Sequence, residues 1–533
     1  MGTVRSERLI SRALQAAMGR HRCRIGGTAG RAVVTLTALC AVAVLGAGCA
    51  GTTPRGGEGG TLRAGVVDVD AGHPGPALPG DFLGLSFESS VLGSSLFDPA
   101  RSNLPALLGD LGTGRLRFGG NSVDRVAAWT ASPTDPLPSW AASRVDPDDL
   151  ARLGALSRAT GWKVDLGLTL GHPDLEAVAA EAASARRLIA TGLATVQIGN
   201  EPDLLGNLRA GYGAADFRSD AAAYRAALTA AAPGVAVSGP DTANPAALAS
   251  YAAGEGTALA TLDQHLYPLS RCGGVKPTID ELLSASTRNT EGRLADLAVA
   301  AGRSLGLPVR LDETNSVSCG GQDGVSNTLA SALWMVEYLV TVARHGVSGV
   351  GVQGGLAACR GYTPLCVPGA KGAAPGTAPG IDAVADASLG AADALGDRLA
   401  AQPDFFGLLL VHELEGGQWL PVTANPTTPV WEAAVKMPSG AVRVVIVNPS
   451  PGSTAQITIQ ARGYAGPASV QRLTGPSLMA TSGVTLGGAG VGGDGNWRPL
   501  PDAPLISQAG SVRVDIPAAT AALVTMPAAS SGR

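Results

Sequence analysis

Glu201 follows the apolar run Ala194–Ile198 within Asn200-Glu201-Pro202-Asp203, and Glu313 follows Val309–Leu311 within Asp312-Glu313-Thr314-Asn315. Two carboxylates held about 5–5.5 Å apart can cleave a glycosidic bond with retention: one protonates the leaving oxygen while the other attacks the anomeric carbon. A single glutamate after a strand is commonly a helix cap or an ion-pair partner. A pair accompanied by further polar residues after similar runs points to chemistry. Those companions are Glu88, Arg117 with Asn121, Asp124 and Arg125, His172, His265 with Tyr267, and Gln353. No HExxH, paired CxxC or Gly-x-Ser-x-Gly pattern occurs, so no metal site, cofactor or serine nucleophile is expected.

The elements that must carry these residues alternate. Short apolar runs at Phe82–Phe87, Gly114–Phe118, Val164–Leu170, Ala194–Ile198, Val235–Ser238, Ala258–Leu262, Val309–Leu311 and Val347–Val352 read as strands. Between them lie Ala/Leu-rich helical stretches, among them Leu175–Ala190, Asp220–Ala232, Thr278–Leu305 and Asn327–His345. Eight strands separated by helices predict an α/β fold, a (β/α)8 TIM barrel over 79–416, whose sites lie at the C-terminal strand ends. A doubly wound open sheet gives the same alternation, but no glycine-rich phosphate loop joins an early strand to a helix. Residues 357–402 read as an Ala/Gly/Pro-rich insertion, and Phe405–Leu414 as the last barrel helix. From 417 to 533 the helical period is lost. Pro421–Thr423, Val430–Lys436, Val442–Val447, Gln456–Gln460, Ser469–Leu473 and Val512–Ile516 predict a C-terminal β-sandwich, with 61–78 supplying an extra strand.

The chain has 533 residues, 45 % hydrophobic and 15 % charged, with a net charge of −4 and only four lysines, which argues against a nucleic-acid partner. Residues 1–31 carry seven arginines and one acid, and no charge follows from Ala32 to Pro54. That pattern predicts a signal peptide over 1–49 and a flexible tether over 50–60, so a secreted protein or one on the outer face of a bacterial membrane. Leu45-Gly46-Ala47-Gly48-Cys49 resembles a lipobox, which makes Cys49 a candidate lipid anchor; ordinary peptidase cleavage is the alternative. Cys272, Cys319, Cys359 and Cys366 then form an even set in an exported chain. The first two fall after neighbouring strands six and seven and the last two within one short loop, which predicts Cys272–Cys319 and Cys359–Cys366.

Three motifs in order, Leu116-Arg117-Phe118-Gly119-Gly120-Asn121, Ile198-Gly199-Asn200-Glu201-Pro202-Asp203 and Asp312-Glu313-Thr314-Asn315-Ser316, resemble glycoside hydrolase family 79, the β-glucuronidase and heparanase family of the retaining barrel clan. Phe82–Glu88, Ser326–Ala330 with Leu333-Trp334, and Gly407–Leu410 extend the resemblance over about 80–420. It implies Glu201 as acid/base, Glu313 as nucleophile, Asn200 on the sugar 2-hydroxyl, Tyr267 orienting the nucleophile, and Arg117 as its cation. His265, Asn121, Glu88 and Gln353 are further substrate-binding candidates. Gly320 and Gly321 occupy the region where the family binds the glucuronate carboxylate through backbone amides, although Ser318 or Cys319 stands where heparanase has a tyrosine. The resemblance implies a retaining β-glucuronidase; the four lysines and net charge of −4 argue against a sulfated polymer, so exo removal of terminal glucuronate from small or unsulfated glycosides is expected. The alternatives are a clan relative acting on a neutral sugar and a non-catalytic carbohydrate-binding lipoprotein. Asp124 and Arg125 read as a structural ion pair.

Overall fold

The computed structural model describes residues 63–356, 358–370, 398–425, 430–464, 467–508 and 510–528. The predicted signal peptide, the tether, Cys49 and most of the 357–402 insertion lie outside the described residues.

Eight parallel strands close into a barrel in chain order: Gly84–Glu88, Arg115–Gly119, Lys163–Leu168, Leu193–Ile198, Val237–Thr242, Leu262–Leu266, Val309–Thr314 and Gly349–Gln353. Helices wrap the outside, as expected for strands buried on both faces. Their ends are written locally. Helix Pro147–Thr160 starts at a capping box between Asp146 and Asp149, has Pro147 in its first turn, and stops at Gly161 in the left-handed region (φ 79°).

The inside of the barrel is polar, and this governs the site. Along a strand, alternate side chains face opposite ways. Leu116, Val164, Leu166, Val196 and Leu311 join the core under the helices. Their neighbours meet one another inside: Arg115 donates to Asp165 at 3.2 Å, which also accepts from Thr195 at 2.7 Å, and Thr195 meets Ser238 at 2.9 Å. One layer higher stand Arg117, Gln197, Asp241, Asp263, His265 and Asp312, all buried.

That polar interior explains the main difference from the sequence reading. Strand six is Leu262–Leu266 rather than Ala258–Leu262, and strand seven runs on to Thr314. Asp263, His265 and Asp312 look like strand ends by hydropathy, yet they lie within strands because the barrel lumen accepts them, while Gln264 between them is satisfied by the Thr242 hydroxyl at 2.7 Å.

The C-terminal domain is two packed sheets. Arg63–Val69 lies in one of them, parallel to Ala455–Ala461 and antiparallel to Val422–Ala424, with Ser511–Ile516 on the far side of Ala455–Ala461. The other contains Gln418–Leu420, Trp431–Lys436, Val442–Asn448, Thr520–Met526 and Ala468–Thr474. Thr520–Met526 is a central strand that the sequence reading missed, since its Ala-rich text carries little β propensity. Strand Val442–Asn448 is apolar on both faces because both are buried. Val444 and Ile446 enter the core between the sheets, while Val445 and Val447 pack on the barrel core.

One buried acid away from the site gives a stability prediction. Glu181, on helix Leu175–Leu188, is 5 % exposed, and burial pushes its carboxyl up to about 8. The folded-state value lies above the unfolded one. Its favourable contribution is therefore complete below the ordinary carboxylate range and is lost as pH rises through about 8. Glu181→Gln should unfold at a higher temperature than the parent at pH 9 and lose that advantage at pH 5, as thermal melts at the two pH values will register.

Candidate active site

The polar lumen opens at the C-terminal ends of the strands, where Arg117 organises the site. Its guanidinium is 1 % exposed and donates to Gln197 Oε1 at 3.0 Å, Glu313 Oε2 at 2.7 Å, Ser86 Oγ at 3.3 Å and Asn200 Oδ1 at 2.8 Å. Asp312 lies 3.6 Å away and His265 Nε2 3.3 Å away. Burial works against the charge, but Asp312, Glu313 and Asp241 outweigh it and keep the guanidinium protonated. A buried arginine with this many acceptors fixes each of them in turn.

Glu313 stands at the end of strand seven, where the register with both neighbouring strands shifts. Its Oε2 takes Arg117 and its Oε1 takes the Tyr267 hydroxyl at 3.0 Å. Burial, then the charge of Glu313, pushes the Tyr267 phenol well above its usual range, so it stays a donor. A carboxylate gripped at one oxygen by a guanidinium and at the other by a phenol is aimed as a nucleophile must be.

Glu201 follows strand four in a different setting. Its backbone is left-handed (φ 47°), its N–H donates to the Asp241 carbonyl at 3.0 Å, and its Oε1 meets His265 Nδ1 at 3.1 Å. Because a guanidinium N–H faces His265 Nε2, that nitrogen is the acceptor and Nδ1 carries the proton. Burial would lower the His265 pKa, but the charge of Glu313 and the bond to Glu201 leave it raised. One donor or acceptor atom each from Glu201, His265 and Glu313 falls within 4.8 Å of the other two. That spacing, like the one in Asp241, His265 and Asp312, also suits a metal ion. Arg117 lies against both sets, so a second cation there would be repelled.

The remaining predicted residues divide. Asn200 is in the cluster: Arg117 claims its Oδ1, which leaves Nδ2 as a free donor direction. Glu88 is in the cluster too. It accepts from the Ser122 N–H at 2.8 Å and sits where a side chain on Gly120 (φ 68°) would collide with it at 2.4 Å. Burial, then the charge of Glu313, raises its carboxyl to about 7. Gln353, at the end of strand eight, is buried, and its Oε1 has no hydrogen-bond partner among the described residues. Asn121 is exposed and stays outside the hydrogen-bonded cluster, lining a small recess with Asn200, Glu201 and Leu204.

Gly320 and Gly321 follow Cys319, all three left-handed (φ 89°, 77° and 64°), and Cys319 is disulfide-bonded to Cys272 as expected; Cys359 joins Cys366. The expected pair of anion-binding amides is corrected in one respect. The Gly321 N–H donates to the Val317 carbonyl at 3.0 Å, so it is already used. Gly321 is glycine for another reason: a Cβ there would lie 2.5 Å from the Tyr362 nitrogen. The close approach brings Tyr362 beside Tyr267, with ring centroids 6.0 Å apart. Burial, then Glu313, Glu88 and Glu201, press the Tyr362 phenol upward, so it faces the same carboxylates. The sequence gives no signal for Tyr362, which sits on the loop after strand eight. Asp124 is also reassigned. Its carboxylate accepts three backbone N–H bonds, from Leu170, Gly171 and Asn200, where an ion pair with Arg125 was expected.

Residues 434–523 match the glycosyl hydrolase family 79 C-terminal beta domain. No curated protein matches the chain in sequence. Among solved structures the chain is similar to a 4-O-α-L-rhamnosyl-β-D-glucuronidase from Fusarium oxysporum 12S, with TM-score 0.68, 18 % identity, and coverage of 86 % of this chain and 100 % of that one. A family 51 arabinofuranosidase from Xanthomonas axonopodis pv. citri aligns with TM-score 0.62 at 14 % identity over 87 % of this chain and 99 % of that one. An α-L-arabinofuranosidase from Thermotoga maritima aligns with TM-score 0.60 at 14 % identity over 86 % and 99 %. At these identities the structural matches bear on the fold, a closed barrel with a C-terminal β domain.

Proposed function

We propose that this chain, which carries a family 79 C-terminal β domain behind its barrel, is a retaining glycoside hydrolase acting on terminal β-glucuronate. The observation that carries this reading is the pair Glu201 and Glu313, with carboxylate oxygens within 4.8 Å and unlike surroundings. Nearest oxygens within 4.8 Å support the retaining geometry of about 5–5.5 Å over the about 6.5–9.5 Å of an inverting pair. Glu313 attacks the anomeric carbon as Glu201 gives its proton to the departing oxygen, forming a glycosyl-enzyme ester. Glu201 then takes a proton from water, and the water oxygen displaces Glu313 from the same carbon. The free amide of Asn200 suits the sugar 2-hydroxyl. Tyr362, beside Tyr267, is the candidate contact for another part of the ring.

The glucuronate assignment rests on the family 79 domain and the motifs around Arg117, Glu201 and Glu313. The occupied Gly321 amide favours a second reading, a neutral sugar in the same site. Rates on aryl β-glucuronide, β-xyloside and α-arabinofuranoside separate the two: glucuronide turnover exceeding the others by about 10²-fold or more supports the first, and a neutral glycoside leading supports the second. The small basic content argues for exo cleavage of an unsulfated glycoside. Export, with Cys49 as lipid anchor, is proposed from the N-terminal pattern.

The acid role has its own test. Glu201→Gln should slow cleavage of an alkyl or sugar leaving group by about 10³-fold and of a dinitrophenyl group far less, because a good leaving group needs little proton help. Equal loss on both would argue against Glu201 as the acid.

A further inference from the structure

The loops after strands three and four meet on one side chain. Asp124, on helix Gly120–Arg125, is 2 % exposed. Its Oδ1 accepts from the N–H groups of Leu170 at 2.5 Å and Gly171 at 2.8 Å, and its Oδ2 accepts from the Asn200 N–H at 2.7 Å. The approach requires glycine at 171, while Gly199 is held by its left-handed backbone (φ 77°) and by Leu170 at 2.7 Å from any Cβ. A Cβ on Gly171 would lie 2.2 Å from the Asp124 carbonyl oxygen, and one on Gly199 would lie 3.3 Å from Oδ2.

Both loops carry residues at the barrel mouth. Asn200 immediately precedes Glu201, whose left-handed backbone (φ 47°) is an uncommon state that its surroundings must impose. Asn200 is thus held at two points, its backbone by Asp124 and its side chain by Arg117. Gly171 immediately precedes His172, which stacks on Trp140 with ring centroids 4.0 Å apart at 10°. Neither Asp124 nor its bonds touch Glu313.

We propose that Asp124 is a positioning residue for proton donation, locking the segment that carries the acid/base Glu201 to the loop after strand three. The proposal rests on the glycosidase reading above. It predicts a defect confined to steps that need the acid. In Asp124→Asn one acceptor oxygen becomes an N–H donor facing a backbone N–H, so one of the three bonds is lost and the Glu201 loop shifts.

The test compares the full chain and its Asp124→Asn variant on glycosides of one sugar with leaving groups from dinitrophenolate to an alkyl alcohol. It also follows labelling of Glu313 by an activated 2-deoxy-2-fluoro glycoside. The expected result is a kcat/KM loss of about 30-fold on the alkyl glycoside, a part of the 10²–10⁴ that a general acid supplies, against less than about threefold in kcat/KM on the dinitrophenyl glycoside and in the labelling rate. Asp124→Glu, which keeps the acceptor but moves it by one methylene, should fall between. Equal losses across the leaving-group series, no loss on any, or failure of both variants to fold would overturn the proposal. A parent protein that is never labelled at Glu313 would instead overturn the glycosidase reading.

Discussion

Glu313→Gln is expected to lose turnover by about 10⁴-fold or more while its thermal midpoint stays within a few degrees of the parent. The loss follows from chemistry: an amide neither attacks the anomeric carbon nor offsets positive charge on it. The retained fold follows from the surroundings. Glu313 is buried, 6 % exposed, and is one of several acids near Arg117. Removing its charge leaves Arg117 with Asp312 at 3.6 Å and with the Gln197 and Asn200 oxygens. It also relieves the charge that adds to the burial of Glu88 in raising that carboxyl to about 7. Activity and melting measured on one preparation will check both halves. A collapse of the fold would mean that the Arg117–Glu313 pair holds the barrel mouth together.

Arg117→Met should be far more damaging to the fold. Breaking a buried charge pair by removing one partner costs about 3–5 kcal/mol, because the other partner stays buried and uncompensated. Here the abandoned partners are Glu313 and Asp312, with Asp241 and Asp263 close by. Burial, then the charge of Asp312, already holds Asp241 well above its ordinary range and Asp263 up to about 6. Without the guanidinium the carboxyls must take up protons on folding. Stability should then be greatest in acid and fall as pH rises, and any remaining activity should show its acidic limb moved to higher pH. Chemical denaturation at pH 5 and pH 8 will read this. An Arg117→Met protein as stable as its parent at pH 8 would show that the lumen does not depend on this charge.

The cluster at the barrel mouth was legible because polar side chains collect where barrel strands end. Glu88, Arg117, Asn200, Glu201, Tyr267 and Glu313 stand at or just beyond the ends of apolar runs, and their order along the chain matches their order around the barrel. What escaped is the layer beneath. Gln197 donates to Asp263 at 2.9 Å and to Asp241 at 3.3 Å, and also bonds Asp312. Polar residues inside a strand look like its end when hydropathy is the guide, which is why strand six was drawn four residues early. Tyr362 and the Asp124 clamp escaped for a different reason. Each depends on a meeting of loops remote in sequence, and neither leaves a periodic trace. The disulfides were legible because adjacent barrel strands bring their following loops together, and Cys272 and Cys319 lie on such neighbours.

The most direct test of the central claim is the anomeric form of the first product. Proton NMR of an aryl β-glucuronide hydrolysed by the full chain should show the β anomer of the free sugar appearing first, with the α anomer growing only as mutarotation proceeds. That is the outcome of double displacement through Glu313 with Glu201 as acid/base. An α anomer released first would mean direct attack by water and would contradict the assignment of both glutamates.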